Sequence, residues 1–164
     1  MPDQHTVLFV CLGNICRSPL AHGIFQHLVD HSNLADKFHI DSCGTGDWHV
    51  GNPPDPRSIQ TASIYGIDIT HQRARQFNPT TDIECFTYII PMDASNKKNL
   101  IKLGVPEPKL TLMRAYDPTL KTPQDVPDPY YGGDDGFDKV YQMLTRACQG
   151  LLDYIDHETH AQRT

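Results

Sequence analysis

Cys11 and Arg17 are the residues of this chain whose types and spacing could do chemistry together, and Ser18 follows them directly. A cysteine thiolate is a strong nucleophile. The planar guanidinium of an arginine offers a fork of N–H donors that matches two oxygens of a tetrahedral oxyanion. The hydroxyl of Ser18 could cap a helix or hydrogen-bond the sulfur. The three residues therefore predict a nucleophile placed inside an oxyanion-binding loop.

The elements on either side of this segment are predicted to hold it as a strand-to-helix turn. Residues 7–10 are all apolar, which is typical of a strand buried on both faces, and Pro19 suits the first position of a helix. Apolar residues then recur at helical spacing: Leu20, Ala21, Ile24, Phe25 and Leu28. Such a turn gathers free backbone N–H groups at a helix N-terminus, where they bind anions. Gly13 and Asn14 favour the positive φ angles that a tight turn needs.

Composition limits what the protein can be. Its 164 residues are enough for one domain with a sizeable core, which we expect to span residues 1–164. The net charge of −6 argues against nucleic acid or an anionic membrane as the main partner. The sequence has no apolar run approaching the roughly 18 residues of a membrane span, and no signal-like N-terminus. Its five cysteines, an odd number at irregular spacing, predict reduced thiols and a cytoplasmic protein.

Strands and helices alternate along the rest of the chain. The pattern predicts three further strands at 38–42, 86–90 and 109–113, helices at 56–66, 81–84, 93–104 and 137–154, and a frayed tail at about 157–164. This alternation is typical of an α/β fold with three layers, in which helices flank a four-stranded parallel sheet and the oxyanion loop follows strand 1. Ligands of such sheets bind beyond the carboxyl ends of the strands, where Cys11 lies.

The stretch 7–20 closely resembles the signature of the low-molecular-weight protein tyrosine phosphatases. The resemblance continues through four further motifs in the family's order: Asp41-Ser42, Gly51-Asn52-Pro53-Pro54-Asp55, Met92-Asp93-Ala94-Ser95-Asn96 and Asp128-Pro129-Tyr130-Tyr131-Gly132. It covers nearly the whole chain, so it points to membership of the family rather than to a single motif match.

The resemblance implies metal-independent, cofactor-free hydrolysis of phosphotyrosine through a cysteinyl-phosphate intermediate. Its partners would be phosphotyrosine-containing proteins, with inorganic phosphate or other oxyanions as inhibitors. Cys11 would be the nucleophile, and Arg17 would hold the phosphate oxygens. The remaining phosphate-binding residues would be Leu12, Gly13, Asn14, Ile15, Cys16 and Ser18. The general acid would be Asp128, whereas chemistry alone also leaves Asp117 and Asp125 of the same loop as candidates.

The resemblance also implies which residues support the phosphate-binding loop and which line the substrate cleft. Ser42 and His71 would join Asn14 in a hydrogen-bond network that holds the loop in shape. The substrate cleft would be walled by Trp48, Tyr130 and Tyr131. For a lone tryptophan, a place in the core is the other interpretation. Ile15 fits the tyrosine-specific members, because related protein-arginine phosphatases carry a smaller polar residue at this position.

Cys16 is a second thiol close to Cys11 in sequence. The two could be half of a metal site, but the other cysteines and the nine histidines form no second close pair. Under oxidant the two thiols could instead close a disulfide that protects Cys11 from irreversible oxidation. We therefore predict a redox role for Cys16 and no metal site.

Two alternative functions stay open at this point. Thioredoxin-coupled arsenate reductases share the fold and have a similar loop, but they need a redox pair of cysteines well downstream. Here Cys85 is alone, and the next cysteine is Cys148. The other alternative is a binding module that has kept the phosphate-binding loop without turnover. The presence of Cys11, Arg17 and Asp128 argues against it.

Overall fold

The computed structural model describes residues 4–133 and 135–163 of the chain. Strands and α-helices follow in the order β1 (His5–Cys11), α1 (Arg17–His31), β2 (Phe38–Gly44), α2 (Pro56–Ile64), α3 (Pro79–Cys85), β3 (Tyr88–Pro91), α4 (Ala94–Lys102) and α5 (Gly136–Arg163). Short 3₁₀ turns lie at Ala35–Lys37, Glu107–Lys109, Met113–Tyr116 and Pro129–Tyr131. The alternation of strands and helices predicted from the sequence is confirmed.

The sheet is parallel, and β1 lies in its centre. Within the described residues its order is β2-β1-β3, and both neighbours pair with β1 in parallel. Residues 7–10 of β1 are fully buried, as expected for a strand covered on both faces. Cys11 is the last residue of β1, so the thiol lies at the carboxyl edge of the sheet.

Helices cover both faces of the sheet. Val7 and Phe9 point to the face that packs against α1 and α5, where Phe25 and Leu144 are buried. The alternate residues of β1 point to the opposite face and pack against a second cluster: Phe77, Phe86, Leu100 and Val105. The period of two along β1 therefore accounts for the flanking layers of the α/β fold.

The predicted fourth strand at 109–113 is wrong, because the described sheet has three strands. Leu110 makes only an isolated parallel bridge to Ile89. The backbone N–H of Leu110 donates to the Glu107 carbonyl in the preceding 3₁₀ turn, and a second 3₁₀ turn begins at Met113. Because these turns use the neighbouring backbone groups, the segment is too short to form a ladder.

The end of the chain is helical for longer than predicted. Helix α5 continues beyond residue 154 to Arg163, where the sequence pattern predicts a frayed tail. Ile155 is fully buried, and the Thr159 hydroxyl contacts both the Ile155 carbonyl and His5 Nε2 at the start of β1. Thr164 lies outside the described residues. The β1 terminus therefore supplies partners that the sequence of the tail does not show.

In the part of the chain that the structure describes, none of the helices combines the length and the apolar character needed to cross a membrane.

Candidate active site

The loop between β1 and α1 is shaped by one residue in the left-handed region. Asn14 has φ +57°, which confirms the positive φ expected within the turn, but Gly13 has no positive φ. A Cβ on Gly13 would lie 2.9 Å from the His49 ring, so this glycine is needed for a close approach instead. Helix α1 begins at Arg17, which places Pro19 at the third helical position rather than the first. Its missing N–H still belongs to the unpaired first turn.

The Cys11 thiol lies at the bottom of this loop. It is 2% exposed, and its sulfur accepts from the Asn14 backbone N–H at 3.3 Å. The Ser18 hydroxyl lies 3.0 Å from the same sulfur. The N-cap of α1 is Cys16 and Ser18 lies inside the helix, so of its two predicted roles Ser18 has the contact with sulfur. The sulfur is therefore enclosed by two hydrogen-bonding groups of the loop and the first turn of α1.

Arg17 is buried beside the thiol and is held by the loops that follow β3 and precede α5. Its Nη1 donates to Asp93 Oδ2 at 2.6 Å and to the Val126 carbonyl at 2.9 Å. Its Nη2 lies 3.6 Å from Asp128 Oδ2. Burial opposes the charge of Arg17, but its pKa is raised because the Cys11 thiolate and these two carboxylates surround it. The guanidinium therefore stays charged next to the Cys11 thiol.

The side chain of Asn14 connects the loop to the sheet. Its Nδ2 donates to Ser18 Oγ at 2.7 Å and to Ser42 Oγ at 3.0 Å. Its Oδ1 accepts from the Arg75 backbone N–H at 3.0 Å. Asn14 is 3% exposed, so these bonds lie in a protected interior. The structure thus brings Asn14 and Ser42 together as the resemblance implies.

No hydrogen bond joins His71 to Ser42 in the part of the chain that the structure describes, and the histidine that Ser42 meets there is His22. His71 is exposed, whereas His22 Nδ1 lies 3.3 Å from Ser42 Oγ. Burial lowers the pKa of His22 to about 4, so its ring is neutral near pH 7. The physical reason is helical spacing: His22 lies four residues after Ser18 on α1, so both face the same side. The i, i+4 spacing of Ser18 and His22 is therefore the sequence signal that would have placed His22 in this network.

Asp128 immediately precedes the 3₁₀ turn Pro129–Tyr131. Its Oδ1 accepts from the Tyr130 backbone N–H at 3.0 Å, and its side chain is 35% exposed. The carboxyl therefore faces Arg17 on one side and solvent on the other. This position allows it to reach a ligand held above the thiol.

A cleft of about 360 Å³ joins these groups. It is lined by Cys11, Leu12, Gly13, Ile15, Cys16, Arg17, Trp48, His49, Asp128, Tyr130 and Tyr131. The three aromatic residues predicted as walls are all present. Trp48 is 67% exposed, which excludes the core interpretation. Tyr131 is 90% exposed and meets Tyr130 edge to face.

The cysteines of the described residues are all free thiols. Burial raises the pKa of Cys16, and the Asp55 carboxylate raises it further, so Cys16 stays protonated beside Cys11. Cys85 is exposed and Cys148 is buried under α1, so the two do not form a downstream redox pair. Among the described residues, no group of three or more His, Cys, Asp or Glu side chains could hold a metal ion.

Several residues of the site were missed from the sequence. Asp93 lies in one of the motifs of the resemblance, but no role at the site was predicted for it. Its Oδ1 accepts from the Asn96 N–H and caps α4, while its Oδ2 pairs with Arg17. His49 lines the cleft, and the Arg75 N–H supports Asn14. No local pattern distinguishes these residues from ordinary loop and cap positions.

A thiol, a buried guanidinium and a half-exposed carboxyl around one oxyanion-binding loop define the class of cysteine-dependent phosphatase sites. The family model for low molecular weight phosphotyrosine protein phosphatase matches residues 6–161. The protein of that name from Sus scrofa is 42% identical over 161 residues, covering 94% of this chain and 99% of the relative. The one from Schizosaccharomyces pombe is 45% identical over 159 residues, with coverage of 94% and 99%.

A solved structure gives the same result for the fold. A protein tyrosine phosphatase from Entamoeba histolytica, crystallised with Hepes in its active site, superposes with a TM-score of 0.88 at 34% identity. The match covers 95% of this chain and 99% of that one. The chain belongs to the low molecular weight phosphotyrosine protein phosphatase family.

Proposed function

We propose that this enzyme hydrolyses phosphotyrosine in proteins through a cysteinyl-phosphate intermediate, without a metal ion or cofactor. The observation that carries the proposal is that Cys11, Arg17 and Asp128 line one cleft, with Arg17 Nη2 3.6 Å from the Asp128 carboxylate. The family to which the chain belongs supports the same reaction. Oxyanions that occupy the loop, such as inorganic phosphate, are expected to inhibit it.

In the first step the Cys11 thiolate attacks phosphorus in line with the tyrosyl oxygen. The S–P bond forms while the P–O bond breaks, and Asp128 gives its proton to the departing phenolate. Arg17 and the backbone N–H groups of the loop hold the three equatorial oxygens, whose charge they stabilise in a loose transition state.

In the second step a water molecule attacks the phosphocysteine. The Asp128 carboxylate accepts a proton from the water, the new P–O bond forms and the S–P bond breaks. The leaving group is the Cys11 thiolate, which the Ser18 hydroxyl at 3.0 Å is placed to stabilise. Inorganic phosphate then leaves the loop, and the enzyme returns to its starting protonation state.

The walls of the cleft favour an aromatic phosphate ester. The Trp48, Tyr130 and Tyr131 rings stand around the opening, so a phenyl ring can stack there while its phosphate reaches the thiol. Phosphoserine is too short to place its phosphate on Cys11 and use these rings together. Ile15, which also lines the cleft, fits this preference over phosphoarginine.

The reaction needs the Cys11 thiol in its reduced form. We therefore place the enzyme in a reducing compartment such as the cytoplasm.

The first test is hydrolysis of p-nitrophenyl phosphate in EDTA. We expect turnover by the wild type, none by Cys11→Ser and a rate lowered by about 10²–10³ in Asp128→Ala, since one general acid contributes on this scale. Cys85→Ser removes an exposed thiol outside the cleft and serves as the matched control. A phosphotyrosine peptide should be a better substrate than the same peptide with phosphoserine.

Other outcomes would select the alternative functions. Thiol-dependent reduction of arsenate by a protein inert toward p-nitrophenyl phosphate would identify a reductase. Phosphate binding without either activity would identify a binding module.

A further inference from the structure

Arg57, near the start of α2, joins two loops of the site without lining the cleft. Its Nε donates to Asp55 Oδ1 at 3.0 Å and its Nη2 to Asp55 Oδ2 at 2.9 Å, a paired contact. Its Nη1 donates to the Tyr130 carbonyl at 3.3 Å. One guanidinium therefore spans from the cap of α2 to the turn that follows Asp128.

The Asp55 end of this connection is attached to the phosphate-binding loop. The Asp55 backbone N–H donates to the Ile15 carbonyl at 2.8 Å. The Asp55 side chain is buried and caps α2 by accepting from the Arg57 N–H at 2.8 Å. Asp55 is therefore a rigid anchor for Arg57, because its buried carboxylate caps α2 and its backbone N–H is bonded to the loop.

The other end is attached to the turn that carries the general acid. The Arg57 guanidinium carbon lies 4.6 Å from the centre of the Phe137 ring and 5.3 Å from that of Tyr130. The Tyr130 N–H donates to Asp128 Oδ1, within a single 3₁₀ turn. Holding the carbonyl and ring of Tyr130 therefore limits where the Asp128 carboxyl can point.

The contact between Asp128 and Arg17 cannot do this during turnover. In the first step Arg17 must turn its donors to the phosphate and Asp128 must carry a proton, so the attraction across their 3.6 Å gap is lost. In the second step Asp128 is a carboxylate again, but the donors of Arg17 still hold the phosphoryl group. The bonds of Arg57 involve no reacting atom, so neither step requires them to break.

We propose that Arg57 is the positioning residue that keeps the Asp128 carboxyl over the phosphate-binding loop when Arg17 is occupied by substrate. The inference rests on the proposed phosphatase function, because it concerns how the general acid of that reaction is placed.

The test is kcat/KM of Arg57→Met with two aryl phosphates. Met keeps an unbranched apolar stem and removes every donor. We expect kcat/KM to fall about ten-fold with phenyl phosphate, because losing one hydrogen bond from a charged donor changes a rate by about this factor. The fall should be smaller with p-nitrophenyl phosphate, whose leaving group needs less protonation. Arg57→Lys, with a single donor group, should recover only part of the loss.

A double-mutant cycle with Asp128→Ala decides whether Arg57 acts through the acid. With p-nitrophenyl phosphate, Arg57→Met should lower kcat/KM in the wild-type background and cause no further loss in Asp128→Ala. The affinity for inorganic phosphate, followed by Trp48 fluorescence, should not change. Arg73→Met is the matched control, because Arg73 also donates to loop carbonyls but is exposed on another segment.

The outcomes are separable. Equal losses in both backgrounds, equal losses with both substrates or weaker phosphate binding would overturn the proposal and assign Arg57 to support of the loop. An Arg57→Met enzyme as active as the wild type would also overturn it. The proposed function itself fails only if the wild type does not turn over or if Cys11→Ser does.

Discussion

Replacing Asn14 measures how much of the loop's shape depends on one side chain. Asn14 has φ +57°, and its amide reaches Ser18, Ser42 and the Arg75 N–H. Asn14→Gly removes these bonds while the backbone keeps its angle without strain. Asn14→Ala removes the same bonds and adds the penalty of a left-handed conformation. The two variants therefore separate the hydrogen bonds from the strain.

The size of the effect follows from what each partner loses. The Arg75 N–H loses its acceptor, whereas the Ser18 and Ser42 hydroxyls keep contacts with Cys11 and His22. An unsatisfied buried donor costs about 1–3 kcal/mol, and each lost hydroxyl bond about 0.5–1.5 kcal/mol. We expect the free energy of unfolding to fall by about 3 kcal/mol in Asn14→Gly. Asn14→Ala should lose about 1 kcal/mol more.

Urea unfolding of both variants measures these differences, and p-nitrophenyl phosphate turnover reports the loop itself. A loss of about 3 kcal/mol corresponds to a melting temperature lower by roughly 6–12 °C for a protein of this size. Asn33, with φ +58° and an exposed side chain, is the control: Asn33→Gly should be neutral and Asn33→Ala should show the strain alone. An Asn14→Gly protein as stable and active as the wild type would refute the reasoning.

Three further predictions concern the cleft and its support. Gly46→Ala places a Cβ 1.8 Å from the Trp48 ring, so the ring must move. The tryptophan fluorescence should change, and KM for a phosphotyrosine peptide should rise roughly three- to ten-fold. An unchanged fluorescence and an unchanged KM would contradict this prediction. The pKa of His22 is about 4 in the folded protein and 6.5 in the unfolded chain, so between these values the unfolded state binds a proton that the folded state does not. The free energy of unfolding therefore decreases as the pH is lowered from 6.5 to 4. In His22→Gln the decrease of the unfolding free energy over this pH range should be smaller by up to about 3 kcal/mol. If the unfolding free energies of the wild type and His22→Gln change equally with pH, His22 is not the cause. After peroxide, thiol should restore activity in the wild type but not in Cys16→Ser, and equal recovery would exclude the protective disulfide.

The phosphate-binding loop could be predicted because its determinants are contiguous. The apolar run of β1, the left-handed Asn14 and the start of α1 follow one another within the sequence, and their geometry depends on local φ and ψ preferences. The caps Asp55 and Asp93 are equally local, since a cap accepts from an N–H two or three residues away.

The sequence by itself thus determined that Cys11 and Arg17 share one strand-to-helix turn, and it determined the alternation of strands and helices. Only the tertiary structure decided that Leu110 makes a single bridge, that His22 rather than His71 contacts Ser42, and that Arg57 links the two loops. The pair between Arg17 and Asp93 joins residues 76 positions apart. Such contacts depend on how helices and strands pack against the sheet, which local propensities do not encode, because one short pattern is compatible with many packing partners.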